Sequence, residues 1–321
     1  MAIACVDWRD AAAERLTTLY TDELRLWSDV LGWDTASSWR QIELGRRLGT
    51  VSGLLAFDEG GSPAGWTFFL RHHGALQVGG FRAASADATA ALLDGVFASD
   101  TATHATSVTF FAFTDAPGLT DALARRGLTV VCYDYLSKPL SAEPLPLPPP
   151  HEARCWRGED GPAAARLLAV AYPTPDEGRP FAPRGTAGEW QEYVDQIANA
   201  AGCGAIMPDA CLVVPGGSDR LAGVILVTRL GPATAHVAQI AVDPATQRRG
   251  LGRSLLGAAC QSAREAGCAR MTLLVDRRNA AARRLYERDG FVPVAGFVSA
   301  GSSQPVRLTS VAAGGRAVTR L

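Results

Sequence analysis

Long apolar runs are missing from this sequence of 321 residues. Its apolar runs, such as Leu221 to Val227, have the length of a strand, whereas a helix that crosses a bilayer needs about 18 apolar residues. The first residues, Met1 to Asp7, also lack the charged and apolar regions of a secretory signal peptide. We therefore expect a cytoplasmic protein that does not bind a membrane.

An excess of charge of one sign is missing as well. The chain has 31 Lys and Arg against 32 Asp and Glu, a net charge of −1, which argues against nucleic acid as a partner. Its 7 cysteines are scattered, with no Cys-x-x-Cys or Cys/His spacing typical of a metal site. They are expected to be reduced thiols, with no metal bound and no cysteine nucleophile.

The composition is that of a folded protein with more than one core. Hydrophobic residues make up 47% of the chain and charged residues 20%, and the length favours two domains. Residues 144–150 include five prolines, which favour an extended spacer. We predict domains at 1–140 and 151–321 joined by a linker at 141–150; the alternative is a long surface loop inside one domain.

The most informative stretch runs from His236 to Ser254. It begins with a short apolar strand, Val237 to Val242, and continues through the turn Gln-Arg-Arg-Gly-Leu-Gly at 247–252. Leu251, Leu255 and Ala259 then recur at helical spacing. A strand, a glycine-bearing turn and a helix N-terminus together gather free N–H groups and the positive end of a helix dipole, which suits a phosphate or pyrophosphate.

Two common phosphate loops do not match this stretch. A Walker loop needs a lysine after Gly252, and a dinucleotide fingerprint needs a glycine where Leu255 stands. The string resembles instead the acetyl-CoA loop of the GCN5-related N-acetyltransferase (GNAT) superfamily. A second signature, residues 279–291 with the sequence Asn-Ala-Ala-Ala-Arg-Arg-Leu-Tyr-Glu-Arg-Asp-Gly-Phe, resembles the same family.

The resemblance implies an α/β (α+β) fold made of two tandem GNAT-like domains, each a mixed, mostly antiparallel sheet flanked by helices. The second half shows the succession β-α-α-β-β-β-α-β-α-β, with a last strand predicted at Val306 to Val311. The first half repeats this succession, but its Val78 to Ala84 stretch lacks the loop. We therefore predict a degenerate first copy, and acetyl-CoA binding by a 151–321 fragment but not by a 1–140 fragment.

The resemblance also implies which residues bind acetyl-CoA, through backbone groups of the strand and through the loop. They are Ile240, Ala241, Val242, Gln247, Arg248, Arg249, Gly250, Leu251, Gly252, Arg253, Ser254 and Asn279. A backbone N–H near Ile240 or Ala241 is expected to polarise the thioester carbonyl. Asn279 is equally the natural N-cap of its own helix.

Two side chains are candidates for proton transfer. His236 opens the strand where relatives often carry a glutamate, and an unperturbed histidine is a suitable base at neutral pH. The alternative is a histidine that only hydrogen-bonds a neighbouring loop, with Gln239 orienting a water. Tyr286 is the candidate acid for the leaving thiolate, and the alternative is a core tyrosine.

The acceptor is not specified by the sequence. By resemblance, Tyr172 to Phe181, Glu189 to Asp195 and the tail beyond Phe297 shape its site; Glu189, Glu192 and Asp195 either attract a cationic amine or form a solvated helix face. We expect an N-acyltransferase that uses acetyl-CoA, or a longer acyl-CoA, on a small-molecule or peptide amine. The alternatives are an acyl-CoA-binding sensor without catalysis and an O-acyltransferase; the protein would be a monomer or a homodimer.

Overall fold

A computed structural model describes residues 3–11, 13–113, 115–140, 152–199, 203–217 and 219–302 of the chain. The proposed linker at 141–150 and the predicted strand at Val306 to Val311 lie outside the described residues. Within them, both halves follow the predicted succession of elements except for two short strands, Ala4–Asp7 and Ala205–Ile206, that were not predicted, and the α/β class with a mostly antiparallel sheet is confirmed.

The elements of the first half include a single π-helical turn, Leu26–Leu31, between the first two helices. Its strands are β1 (Ala4–Asp7), β2 (Ser52–Phe57), β3 (Pro63–His72), β4 (Ala75–Ala83), β5 (Ser107–Phe113) and β6 (Thr129–Pro139). Its helices are α1 (Ala13–Arg25), α2 (Ala36–Arg47), α3 (Ala86–Phe97), α4 (Asp100–Thr103) and α5 (Leu119–Arg125).

The second half adds seven strands and four helices within the described residues. Its strands are β7 (Arg154–Cys155), β8 (Ala205–Ile206), β9 (Leu212–Pro215), β10 (Leu221–Gly231), β11 (Thr234–Val242), β12 (Arg270–Asp276) and β13 (Val292–Ser302). Its helices are α6 (Gly161–Ala171), α7 (Ala187–Ala198), α8 (Leu251–Glu265) and α9 (Ala280–Arg288). No helix in this part of the chain is long and apolar enough to span a bilayer.

The described strands form one sheet that runs through both halves. Its order is β1-β2-β3-β4-β5-β13-β6-β12-β11-β10-β9-β7, with β8 beside β10. Strand β6 of the first half lies between β12 and β13 of the second, and β13 lies between β5 and β6. Each half therefore places its last described strand inside the sheet of the other, an exchange that the sequence did not predict.

In each half, the loop between the first two helices of that half packs against the other half. Gly32, which ends the turn Leu26–Leu31 at φ 68°, lies so close to β11 that an added Cβ would be 2.3 Å from Oγ1 of Thr234. Gly178, in the loop between α6 and α7, lies on β6, where an added Cβ would be 2.6 Å from the carbonyl oxygen of Thr129. Because any larger residue would push these segments apart, both glycines are required for the contact between halves.

Helix α8 is seated on the second-half sheet by small and apolar residues. An added Cβ at Gly223 of β10 would lie 2.9 Å from Cδ1 of Leu255 and 3.3 Å from Cδ2 of Leu251. Leu255 and Ala259 are fully buried in the largest core cluster. The glycine on the strand thus lets the predicted apolar face of the helix approach the sheet and fixes where the helix begins.

Strand β11 separates from its parallel neighbour halfway along its length. It pairs with β12 only at residues 234–237, opposite residues 270–273. At the same point a register shift against β10 leaves Ala238 as an extra residue in β11. A bulge bends the strand and increases its twist. Beyond Ala238, β11 continues to Val242 with one edge open within the described part of the sheet.

Candidate active site

The loop that follows β11 has the geometry of an anion site. Arg248 and Gly250 are both left-handed, at φ 63° and 84°, on either side of Arg249. Such turns direct successive N–H groups into one concavity. Gly250 is the N-cap of α8 and supplies no side-chain hydrogen bond, and the first intrahelical bond runs from Ser254 N to Gly250 O at 3.0 Å. The N–H groups that precede Ser254 thus face outward at the start of a 15-residue helix.

Gly252 has no steric reason to be glycine within the protein. An added Cβ would meet Val242 at 3.6 Å and Leu285 at 3.9 Å, which are ordinary contacts. A glycine inside a helix costs about 1 kcal/mol of stability relative to alanine. The absence of a side chain therefore preserves space at the helix start for something other than this chain, and the loop suits a phosphate or pyrophosphate.

Some side chains of the loop have no hydrogen-bond or ion-pair partner among the described residues, whereas others are bonded to neighbouring elements. Arg248 and Arg249 are exposed, and neither has an ion-pair or hydrogen-bond partner among the described side chains. Gln247 Nε2 donates to the carbonyl oxygen of Val242 at 3.2 Å, which ties the loop to the strand. Arg253, predicted to bind the cofactor, donates to the buried carboxylate of Asp289 at 3.0 Å instead. Its guanidinium links α8 to the end of α9 through Nε, which leaves the Nη groups and the backbone N–H as donors for an anion.

The open edge of β11 presents backbone groups of alternate residues. Asp243 N donates to Ala222 O at 2.9 Å, so the backbone of Asp243 points towards β10. Because successive residues of a strand point to opposite neighbours, Ala241 also faces β10, whereas Ile240 and Val242 face the open side. Of the two N–H groups predicted to polarise the carbonyl, the geometry favours that of Ile240.

The N–H of Ile240 is bonded by the side chain beside it. Oε1 of Gln239 accepts from Ile240 N at 3.1 Å. Gln239 is only 8% exposed, and its Nε2 is buried without a hydrogen-bond partner among the described residues. A buried amide nitrogen without a partner is costly. This residue was considered in the sequence only as a holder of water, because nothing in a strand pattern indicates where an amide will point.

The first half keeps the bulge but not the loop. Gly79 is the extra residue of β4 opposite β3, at the position that Ala238 has in β11. Strand β4, however, ends only two residues before α3 begins. The side chain of Ser85 accepts a hydrogen bond from Ala88 N and caps the helix. Asp87 is the second helical residue, where α8 has Gly252. A capped helix start that already carries a carboxylate does not suit a phosphate, which supports the prediction of a degenerate first copy.

Tyr286 lies on α9 and is buried, 6% exposed. Its ring packs edge-on against Phe291 at a centroid distance of 5.9 Å. Burial, and in second place the neighbouring Tyr172, raise the pKa of Tyr286 above its ordinary value. The raised pKa makes this phenol a weaker acid than a free tyrosine, so the shift does not itself favour proton donation to a thiolate, and the role of Tyr286 as general acid stays a prediction.

The side of the sheet that carries α6 and α7 bears an aromatic cluster at the bulge: Tyr172, Phe181, Trp190 and Tyr193. The Tyr193 hydroxyl donates to the carbonyl oxygen of Ala238 at 3.0 Å. Its ring stacks on Phe181 at 4.5 Å, and Trp190 lies 5.3 Å from Tyr172. Tyr193 lies within the range Glu189 to Asp195 that, with Tyr172 to Phe181, was expected to shape the acceptor site, although its side chain was not singled out in the sequence.

The three predicted acidic residues of α7 do not form an anionic acceptor pocket. Glu189 accepts from Nε of Arg184 at 2.7 Å, and Asp195 accepts from Nε2 of Gln191 at 2.9 Å. Glu192 is exposed. The alternative of a solvated helix face fits these contacts better. No group of His, Cys, Asp and Glu that could hold a metal occurs in the described ranges.

Asn279 is the N-cap of α9. Its Oδ1 accepts from Ala282 N at 3.0 Å, which is the capping interpretation that the sequence left open. The capping bond engages the only oxygen of the side chain, and the contact with acetyl-CoA stays a prediction.

His236 is enclosed by residues of both halves. Its Nδ1 lies 2.9 Å from Oγ1 of Thr272, and its ring stacks between Tyr135 at 5.8 Å and Trp33 at 6.4 Å. The hydroxyl oxygen of Tyr135 in turn lies 2.9 Å from Oγ1 of Thr272 and 3.1 Å from the carbonyl oxygen of Leu31. His236 is 4% exposed, and burial lowers its pKa to about 4. The environment therefore argues against the predicted role of His236 as general base and favours a structural role between the halves.

The lowered pKa of His236 leads to an expected pH dependence of stability. An unfolded histidine binds a proton near pH 6.5, whereas folded His236 does so only near pH 4. The free energy of unfolding should therefore fall as the pH drops from about 7 to 4, by a contribution on the order of 3 kcal/mol. About 2 kcal/mol of this falls between pH 7 and pH 5, and urea unfolding of His236→Asn, which keeps a polar atom near Thr272, should show that part of the pH dependence removed. An unchanged pH dependence would contradict it.

With this geometry established, comparison with known families is unambiguous for the second half. Residues 174–291, which include the α8 loop and α9, match the acetyltransferase (GNAT) family. This match identifies residues 174–291 as part of a GNAT acetyltransferase domain.

The chain is also similar to parts of curated acetyltransferases. It is 32% identical over 158 residues to the mycothiol acetyltransferase of Saccharopolyspora erythraea, a match that covers 48% of this chain and 48% of that protein. It is 48% identical over 63 residues to the mycothiol acetyltransferase of Beutenbergia cavernae, covering 20% of this chain and 21% of that protein. The matches thus span at most about half of the length of these relatives.

Solved structures share the tandem fold. A tandem GNAT protein from the clavulanic acid biosynthesis pathway superposes with a TM-score of 0.55 at 13% identity, over 94% of this chain and 98% of that one. A GCN5-related N-acetyltransferase from Sphaerobacter thermophilus gives 0.55 at 17% identity, over 79% and 81%. At these identities the likeness concerns the fold alone.

Proposed function

We propose that the protein transfers an acetyl group from acetyl-CoA to the primary amine of a small molecule. The observation that carries the proposal is the uncapped glycine start of α8 beside the open edge of β11. Exposed Arg248 and Arg249 flank that helix start and supply positive charge for the phosphates of the donor. The names of the curated relatives favour a small-molecule acceptor over a peptide.

The chain's own groups supply two elements of the reaction. The N–H of Ile240 is aimed where a carbonyl oxygen of the donor would lie, and such a preorganised donor stabilises developing negative charge. The protonated phenol of Tyr286 provides a proton for the leaving thiolate. His236 is excluded from the proton route by its burial, so we assign deprotonation of the amine to solvent that reaches the cleft.

Release of free thiol from acetyl-CoA, measured with a panel of amines and matched alcohols, tests the proposal. Amine-dependent release supports N-acetylation, and release with alcohols alone would indicate O-acylation. Binding of acetyl-CoA without release for any acceptor would contradict catalysis.

Replacing Tyr286 with Phe is expected to lower kcat by about ten- to a thousandfold, with little change in acetyl-CoA affinity. A general acid acts in the transition state and contributes about 10²–10⁴-fold. The ring keeps its packing on Phe291, so the fold should be preserved. Tyr20→Phe, which removes a phenol bonded to Glu43 in the first half, is the matched control and should leave kcat unchanged. An unchanged kcat in Tyr286→Phe would mean that Tyr286 is only a core residue and does not donate the proton.

A further inference from the structure

The amide of Gln239 occupies a position on the open edge of β11 that the proposed donor needs. Ile240 and Val242 are the residues whose backbone groups face that edge, and the N–H of Ile240 is bonded by Gln239 Oε1 at 3.1 Å. The acceptor atom is a side-chain carbonyl oxygen. It is therefore chemically equivalent to the amide and thioester carbonyls of the pantetheine arm of acetyl-CoA.

The same amide is unsatisfied at its other end. Nε2 of Gln239 is bonded to the same carbon as Oε1, so covalent geometry keeps it close to the N–H of Ile240. It is buried, has no hydrogen-bond partner among the described residues, and belongs to a side chain that is only 8% exposed. If this position contributed only to stability, a buried amide with an unpaired nitrogen would be unfavourable there.

The groups around Gln239 do not explain this arrangement. Neither the hydroxyl of Tyr193, which donates to the carbonyl oxygen of Ala238, nor the ring of His236, whose Nδ1 lies against Thr272, accepts a hydrogen bond from Nε2 of Gln239. Rotation about the side-chain bonds of Gln239 would free the Ile240 N–H without moving the backbone, because the bulge at Ala238 has already set the course of the strand.

We propose that Gln239 is a gate on the donor site: its Oε1 occupies the N–H of Ile240 in the ligand-free protein and is displaced by a carbonyl of the pantetheine–thioester arm when acetyl-CoA binds. The proposal rests on the proposed function, since it takes acetyl-CoA as the ligand. Gln239 is a positioning residue in this role, since it competes with the donor for one N–H group and does not take part in the chemistry.

Two substitutions at Gln239 are expected to change affinity in opposite directions. Gln239→Met keeps the length of the side chain but cannot accept the hydrogen bond, so acetyl-CoA should bind about fivefold more tightly, the worth of one net hydrogen bond. Gln239→Glu provides a carboxylate, which binds an N–H more strongly than an amide does. Acetyl-CoA should bind about tenfold more weakly to it at pH 8.5, and the loss should shrink as the pH is lowered and the carboxyl is protonated.

Calorimetry with acetyl-CoA and with a ligand that lacks the pantetheine arm distinguishes competition at the N–H of Ile240 from a general change in affinity. Adenosine 3′,5′-bisphosphate, the nucleotide end of CoA without the arm, should bind all three proteins equally, because the gate competes only with the arm. Thermal melts establish that each variant is folded, and the Met variant alone decides the question if the Glu variant is not.

The outcomes for the gate and for the proposed function are distinct. If the unmodified protein fails to bind acetyl-CoA, both are overturned. If it binds, but Gln239→Met binds acetyl-CoA no more tightly, the gate is overturned and the proposed function stands. If the variants change the affinity for the bisphosphate as much as that for acetyl-CoA, the gate is also overturned, since the effect then arises outside the arm.

Discussion

Replacing Gly252 with Asp is expected to abolish the binding of acetyl-CoA while the protein stays folded. The added Cβ makes only ordinary van der Waals contacts with Val242 and Leu285, so the packing of α8 on the sheet should be unchanged. The carboxylate would stand at the start of the helix, where the pyrophosphate is expected. Two like charges about 4 Å apart near a protein surface repel by about 4 kcal/mol, which corresponds to roughly a thousandfold in affinity.

Two further substitutions at the same position separate charge from size. Gly252→Asn has the size of Asp without the charge and should bind acetyl-CoA more tightly than Gly252→Asp by at least about a hundredfold. Gly252→Ala should raise the thermal stability, because alanine is the better helix former, and still weaken binding. Equal affinities for Asn and Asp in calorimetry would mean that no anion binds at this helix start. The chain already has an aspartate at the matching position of α3, Asp87, in the half that lacks the loop.

Producing residues 1–140 and 151–321 as separate proteins is expected to yield two chains that do not fold alone. Without β6, the second half loses the strand between β12 and β13; without β13, the first half loses the strand between β5 and β6. Each fragment would then have unpaired strand edges in the middle of its sheet and exposed aromatic residues such as Tyr135 and Phe297. The structure therefore replaces the earlier expectation that the 151–321 fragment binds acetyl-CoA by itself.

The control is the same pair of chains made together. Co-expressed fragments, or an intact protein cut by a protease within residues 141–150 after folding, should co-elute as one species and bind acetyl-CoA. Circular dichroism and size-exclusion chromatography distinguish the cases. A 151–321 fragment that melts cooperatively and binds acetyl-CoA with the affinity of the whole chain would show that the exchanged strand is dispensable.

The parts of the site that could be predicted depend on local sequence. The turn at 247–252 and the helix after it were readable because glycine, proline and apolar spacing act over a few residues, and the structure places α8 at Leu251–Glu265. The N-cap alternative for Asn279 was readable for the same reason. The succession of strands and helices in both halves followed from periodicity and turn residues.

The parts that could not be predicted depend on contacts between distant residues. His236 looked like a base because its neighbours in sequence leave it open, but Trp33 and Tyr135 of the first half enclose it and lower its pKa. The ion pair of Arg253 with Asp289 is likewise set by the approach of α9 to α8. The exchange of β6 and β13 has no local signature, because a strand pattern does not specify its neighbours.

The position of β13 also constrains how the protein is made on the ribosome. Strand β5 is synthesised by residue 113, yet its neighbour in the sheet, β13, spans Val292–Ser302. Roughly 180 residues must follow before that edge is paired, which at about 5–20 residues per second takes on the order of ten seconds or more. Throughout that interval β5 and β6 offer unsatisfied backbone edges to other chains. The first half therefore cannot mature before the second, and the nascent protein is expected to need a chaperone for longer than two independent domains of its size would.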